Sequence, residues 1–272
     1  MERRRPLRKK VEPKLKREAR NLAVAGLGAV ALQIAGAPVI RPLTRHVERR
    51  SWGLLRRVHL PRWLEVALAL LLMDYTFYVW HVMTHRAPFL WRFHVVHHVD
   101  LDLDASTALR FHFGELVAGI PWAAAQVVLI GIVPSTYSLW QTAFLISILF
   151  HHSCVEIPIA WERRLSWLFV TPRMHGIHHS VVEEESNSNW SSGLNIWDRL
   201  HGTLRLNIPQ AEVTIGVPAY RDPVVFSELV RLPFEEQPPA WVFADGTKPL
   251  PHSEAEPRTR LVSTPTSCRS VQ

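Results

Sequence analysis

Cysteine is almost absent from this chain of 272 residues: Cys154 and Cys268 stand far apart and form no C-x-x-C. A disulfide framework, a zinc ribbon and a cysteine-ligated iron–sulfur cluster are thereby disfavoured. The sequence also lacks H-E-x-x-H, and no Glu lies inside any histidine cluster, which argues against a zincin-type protease. It lacks the Glu plus Glu-x-x-His pattern of soluble di-iron bundles, and it has no G-x-G-x-x-G and no haem domain. No nucleic-acid-binding module is present, so no nucleic-acid partner is expected. Charge is missing altogether from Leu22 to Ile40. The basic run before that stretch is long, and no small-residue cleavage site follows it, so it does not read as a secretory signal.

Histidine is what the chain has in abundance. Twelve of its fifteen histidines lie between positions 81 and 201. His81 and His85 form an H-x-x-x-H, His94, His97 and His98 an H-x-x-H-H, His151 and His152 a pair, and His175, His178 and His179 a second H-x-x-H-H. On a helix, positions i, i+3 and i+4 share one face, so each cluster can aim several imidazoles at one point. A lone histidine is usually an ordinary packed or solvated residue. Three at this spacing, twice in one chain, point to metal ligation. Structural zinc needs four ligands, and eight or more imidazoles exceed that need. Two metal ions with open positions fit the number, and two irons that activate oxygen are the chemical reading.

Charge and hydropathy place these clusters relative to a membrane. Ten Lys or Arg in the first twenty residues, beside an apolar run, favour an anionic membrane surface. Leu22 to Ile40 would span about 28 Å as a helix, close to the ~30 Å hydrocarbon core. Trp63 to Trp80, Leu116 to Val133 and Leu139 to Phe150 are further spans, the last two forming a helical hairpin around Pro134, Ser135 and Thr136. With the basic N-terminus in the cytoplasm, all four histidine clusters meet on that side. Residues 41–62 carry seven Arg and would then lie outside, so the first helix pair is alternatively a shallow hairpin that does not cross. The expected fold is all-α: an integral membrane bundle of about four membrane-embedded helices with a cytosolic histidine-rich cap. The expected divisions are a basic cytosolic tail over 1–20, a first membrane helix and connector over 21–62, a catalytic domain over 63–205, and a soluble tail over 206–272 whose last twenty residues have a disordered composition.

On the second span, Asp74, Tyr78, His81 and His85 form one helical stripe. A carboxylate at membrane depth costs roughly 2.5–3.5 kcal/mol. Asp74 is therefore expected to orient an imidazole N–H, or else to pair with a nearby Arg or Tyr.

The chain resembles the integral-membrane fatty acid hydroxylase / sterol desaturase superfamily. The matching motifs are D-Y-T-F-Y-V-W-H-V-M-T-H from Asp74, L-W-R-F-H-V-V-H-H from Leu90, S-T-A-L-R-F-H-F-G-E from Ser106, F-H-H-S from Phe150, T-P-R-M-H-G-I-H-H-S from Thr171 and N-S-N-W-S-S-G-L-N-I-W-D-R-L-H-G-T from Asn187. They cover about residues 65–205, and as a set they are specific. The resemblance implies a membrane enzyme with a histidine-bound di-iron centre at the cytosolic face, using O2 and an external electron donor (a ferredoxin, or a cytochrome with its reductase) to hydroxylate or desaturate a bilayer lipid. It implies as ligands His81, His85, His94, His97, His98, His175, His178 and His179, together with His112 and, in preference to His151, His152. It places Arg110, Glu115, Asn189 and Asp198 at supporting positions, where a buried salt-bridge and capping network is an equal reading. Phe113, Cys154 and His201 depart from the pattern, which commonly has Pro, Asn and an apolar aromatic there; His201 is expected to be an ordinary packed or exposed residue. His46, His59 and His252 lie outside the motifs and are expected to be solvated. The implied location is a bacterial inner membrane, or the endoplasmic reticulum in a eukaryote. A zinc-dependent membrane lipid hydrolase and a non-catalytic metal- or lipid-binding scaffold are the competing functions.

Overall fold

The computed structural model describes residues 6–253. The Ser-, Thr-, Pro- and Arg-rich end of the 206–272 segment, with Cys268, lies outside the described residues. The protein is helical; among the described residues only isolated bridges such as Phe169–Leu194 and Ser180–Ile215 interrupt the helices and loops. Among the described residues, three helices are long and apolar enough to cross a membrane: α1 (Lys14–Arg50), α2 (Arg62–Arg86) and α4 (Phe113–Gly131). At 1.5 Å per residue α1 is about 55 Å long and α2 about 37 Å, so each exceeds a hydrocarbon core of ~30 Å. Between α2 and α4 lies the short α3 (Pro88–His98). The fourth expected span is α5 (Pro134–His152), which Ser138, Gln141, Thr142 and Ser147 make less apolar, although Leu145, Ile146 and Phe150 are exposed along it. The remaining helices are short: α6 (Ile159–Leu165), α7 (Pro172–His178), α8 (Glu183–Ser186), α9 (Ile196–His201) and α10 (Phe226–Arg231).

Small residues set the spacing of the long helices. A β-carbon on Gly28 would stand 2.7 Å from the Leu116 side chain, and Gly36 faces Ile120, so α1 lies close against α4. A five-residue π-helical segment, Leu32–Gly36, interrupts α1 beside this contact. At the end remote from the histidines the two connections meet. Gly53 (φ +103°) and Gly131 (φ +96°) cross so closely that a β-carbon on Gly53 would sit 2.3 Å from Gly131 Cα. Leu54 and Leu55 donate their amides to the carbonyls of Leu129 and Ile130 across this crossing. Around it packs an apolar core of Ile40, Val47, Leu55, Ala69, Met73, Val127, Ile130, Ile132 and Val133.

At the histidine end, the first turns of α1 differ from a free basic tail. Arg17 is buried, ion-paired with Asp100 at 2.8 Å and with Asp104, while Asn21 donates to Asp100 at 2.9 Å. The segment after residue 205 is likewise tied down within the described residues. Val217, Leu229 and Leu232 pack against Val95, Val96 and Val99 at the end of α3, and Trp241 stacks on Trp91 at 5.3 Å.

The glycine crossing yields a stability test. Gly53→Ala must take a left-handed backbone and push a methyl group into another backbone. We expect a loss of about 2–4 kcal/mol in the unfolding of detergent-solubilised protein; an unchanged unfolding transition would show that the crossing is not tightly packed.

Candidate metal centre

Nine histidines from four helix ends converge in the interior in two groups. One comprises His81, His85, His94, His98 and His178, the other His97, His152, His175 and His179; within each, the ligand-capable atoms lie within 4.8 Å of one another. The partition follows from helical geometry. Residues four apart share a face, and the pairs 81/85, 94/98 and 175/179 each stay in one group. His97 and His178 face the other group from their helix neighbours, so each H-x-x-H-H serves both sites. His81 and His85 come from the last turns of α2, His94 to His98 from α3, His152 from the end of α5, and His175 to His179 from α7 and the residue after it.

Hydrogen bonds behind the rings fix which nitrogen faces inward. Nδ1 of His81, His152 and His178 donates to the carbonyls of Trp190 (2.7 Å), Ile148 (2.8 Å) and Ser188 (2.9 Å). Nδ1 of His94 lies 2.9 Å from Glu115 Oε1. A ring that donates from Nδ1 presents the Nε2 lone pair, as a metal ligand must. In the four-membered group, Nε2 of His152 stands 3.1 Å from that of His97 and 2.9 Å from that of His175, which is 3.1 Å from that of His179. Ligands about 2.1 Å from a tetrahedral metal are separated by roughly 3.4 Å, close to these distances. In the five-membered group Nε2 of His94 and His178 and both nitrogens of His85 and His98 are buried without a hydrogen-bond partner. Orphaned buried nitrogens are costly, and a cation at the centre of the group would satisfy one on each ring. The residues therefore fit metal ions.

Burial first, and neighbouring imidazoles second, hold His97, His98, His175, His178 and His179 well below the ordinary histidine value. They are neutral near pH 7, the form that binds metal.

His112 is not brought to either group. Its Nδ1 accepts from the Gly114 amide at 2.9 Å, capping α4, and its Nε2 donates to the Val230 carbonyl at 3.2 Å. His151 is fully buried with both nitrogens unpartnered, its ring 4.1 Å from that of His175, yet it belongs to neither group. His201 stacks on Tyr75 and Tyr78. His252, expected to be solvated, is instead held by Glu185 and the Glu212 carbonyl.

The supporting residues divide by what they touch. Glu115 alone contacts a ligand-capable ring, that of His94. Asp74 forms its hydrogen bonds with neither an imidazole nor an Arg or Tyr: it accepts from the Leu194 amide at 3.0 Å and Trp197 Nε1 at 2.7 Å. Asp198 accepts from the amides of Trp190 and Ser191 and from the Thr203 hydroxyl, and so positions the Trp190 carbonyl under His81. Asn189, at φ +52°, bridges the Met174 and Arg205 carbonyls. Arg110 is fully buried; its Nε donates to the Val96 carbonyl, next to His97, and burial lowers its guanidinium to about 10 against the compensating charge of Asp100. The carbonyls of Ser188 and Trp190 could not be found from sequence, since a backbone acceptor leaves no residue-type signal.

A small cavity adjoins both groups, walled by Phe77, Trp80, Thr84, Phe111, Phe144 and Ile148.

Two outcomes follow from this geometry. Glu115→Gln should weaken metal retention or activity about 10–100-fold, while His112→Asn should keep its full metal complement, as read by elemental analysis; loss of metal in the latter would place His112 in the site. Metal-free protein should also be pH-sensitive. The depressed imidazoles stay neutral in the folded state below about pH 6.5, where the unfolded chain takes up protons. Stability is then fully present above that pH and falls as the pH drops, so the thermal midpoint should be lower at pH 5.5 than at pH 8.

Comparison with known proteins accords with this arrangement. The family model described as fatty acid hydroxylase matches residues 66–203, half of the chain. An ornithine lipid hydroxylase, OlsE, of Rhizobium tropici is 35% identical over 159 residues, 58% of this chain and 46% of that protein. A cholesterol 25-hydroxylase-like protein of Danio rerio is 32% identical over 52% of this chain and 55% of its own length. An alkylglycerol monooxygenase of Xenopus tropicalis is 28% identical over 53% of this chain and 31% of its own length. The matched stretch thus spans about half or less of each relative's length. No solved structure gives a significant match. The matched stretch contains every histidine of both groups and the Glu115 and Asp198 braces, and by that match the chain belongs to the fatty acid hydroxylase family.

Proposed function

We propose that this chain is a membrane-bound non-haem di-iron lipid hydroxylase. One iron would be held by His81, His85, His94, His98 and His178, the other by His97, His152, His175 and His179. The observation that carries the reading is the pair of buried, all-imidazole groups beside an apolar cavity between long apolar helices. Bound iron would supply the reduction of O2 and the oxidation of an unactivated C–H bond.

The protein's own part is positional. The carbonyls of Trp190, Ile148 and Ser188, with Glu115, keep four rings in one tautomer and one orientation. Phe77, Phe111 and Phe144 give part of the wall of this small cavity an aromatic face suited to the end of an alkyl segment, beside His81, His94, Glu115 and Ser192. The bilayer delivers such a segment laterally, and the names of the relatives favour hydroxylation over desaturation. One atom of O2 then enters the C–H bond and the other leaves as water, with two electrons and two protons from outside. An external ferredoxin, or a cytochrome with its reductase, supplies the electrons. The metal groups face the cytoplasm, in a bacterial inner membrane or the endoplasmic reticulum.

The test uses the protein in lipid nanodiscs with iron, a reduced donor, heavy-isotope O2 and extracted membrane lipid. Lipid product should carry one labelled oxygen, and His97→Ala or His178→Ala should reduce its yield to background. Conversion that proceeds without O2, or product oxygen that derives from water, would favour a zinc hydrolase instead. Full activity in either alanine variant would overturn the ligand assignment.

A further inference from the structure

The segment between α5 and residue 203 carries the ligands of α7, and its sequence reads as a cytosolic cap. Part of its surface is not that of a water-facing cap. On α6 and the loop after it, Ile159 is 55% exposed, Trp161 60%, Trp167 74%, Leu168 48% and Phe169 45%. On α9, Ile196 is 45% and Leu200 68% exposed. The two segments that carry these side chains are joined. The Asn195 amide donates to the Leu168 carbonyl at 2.9 Å, Phe169 bridges to Leu194, and Arg199 Nη2 donates to the Ser166 carbonyl at 2.8 Å. Contiguous exposed apolar surface of this kind marks an interaction site.

Charge narrows what the face meets. Over residues 159–169 and 196–201 the two acids, Glu162 and Asp198, are buried, whereas Arg163, Arg164 and Arg199 are exposed. Two of these arginines lie over the exposed tryptophans, Arg164 over Trp161 at 5.2 Å and Arg199 over Trp167 at 5.0 Å. Tryptophan at an apolar–polar boundary, with arginine reaching past it, is the composition of a bilayer interface. The face is also continuous with a membrane helix. Trp197 hydrogen-bonds Asp74 in the middle of α2 and packs on Tyr75 at 4.8 Å. Asp74 lies seven residues before His81, about 10 Å along the helix axis on the side away from the metal groups. The α6–α9 face is thereby anchored within the apolar length of α2, not above it.

We infer that the α6–α9 face is a monotopic membrane surface, embedded in the headgroup and upper acyl region of the leaflet nearest the metal centre, with Arg163, Arg164 and Arg199 meeting anionic lipid phosphates. The inference rests on exposure, charge and attachment to α2, and does not depend on the metal or on the reaction.

Photocrosslinking in nanodiscs of mixed phosphatidylcholine and phosphatidylglycerol tests it. A benzophenone amino acid replaces Trp161, Trp167 and Phe169 one at a time, so that one failed variant leaves two. Ile146, exposed on α5, serves as the lipid-facing reference, and Glu184 on α8 as the aqueous one. Phospholipid adducts at two or more of the three positions, at yields near that of Ile146 and well above Glu184, are expected. Adducts at fewer than two positions, or adducts to a second protein chain in place of lipid, would overturn the inference while leaving the hydroxylase reading untouched.

Discussion

Everything in this structure is arranged around imidazole nitrogens that face one another in the dry interior. Nine rings converge, and most present an inward nitrogen with no hydrogen-bond partner or with only another ring nitrogen beside it. Each orphaned polar atom costs about 1–3 kcal/mol. Cations at the centre of the two groups would offset that cost, and their binding would then add to the folding free energy. Burial also explains why the rings of His97, His98, His175, His178 and His179 are neutral: a protonated ring there would be poorly solvated.

Convergence demands that four helix ends be held in register, and the means are mostly not histidine. Arg110 reaches the Val96 carbonyl on α3, and Asp100 counters its charge while also pairing with Arg17 on α1. Burial alone would raise the Asp100 carboxyl; the two arginines outweigh it and hold it below its ordinary value, so the charges remain present. One cluster of ionic groups thus joins the start of the long first helix, the loop after α3 and the ligand helix itself. On the other side Asn189 and Asp198 fix the 189–203 loop, whose backbone carbonyls and those just before it orient His81 and His178. Loss of either lock would blur the geometry of the histidine groups without removing a histidine.

The parts of this design legible in the sequence are those with a short period. The i, i+4 spacing of His94/His98 and of His175/His179 marks shared faces, and uncharged runs mark the long helices. That each H-x-x-H-H divides between two groups is not in that pattern, since i, i+3 and i+4 all fall on one broad face; the structure is what assigns His97 and His178 to the other group. The supporting shell was legible only in part. Glu115 does back a ligand-capable ring, whereas Asp74, on the same helical stripe as His81, turns to Trp197 because a loop far along the chain offers two donors there. His112 reads like a ligand but caps α4, and nothing local in R-F-H-F-G distinguishes the roles. Arg17 reads as one more charge in a basic run, and its burial depends on three aspartates more than eighty residues away.

Tryptophan shows the same limit, and shows what sets the protein's relation to lipid. Trp190 and Trp167 lie in one polar-looking segment, yet the first is 3% exposed with its carbonyl under His81 and the second is 74% exposed beneath an arginine. Composition cannot separate them; Asp198 and Asp74 hold the 190–203 loop, and with it Trp190, against the interior, whereas Trp167 lies outside that loop. A carboxylate in an apolar helix is costly, but Asp74 offsets that cost with two donors and gains a rigid attachment. The attachment makes the ligand-supporting loop and the exposed aromatic face one body with α2. A change in how that face sits in the bilayer would therefore be felt at the His81 end of the same helix, through a hydrogen-bonded path only a few residues long.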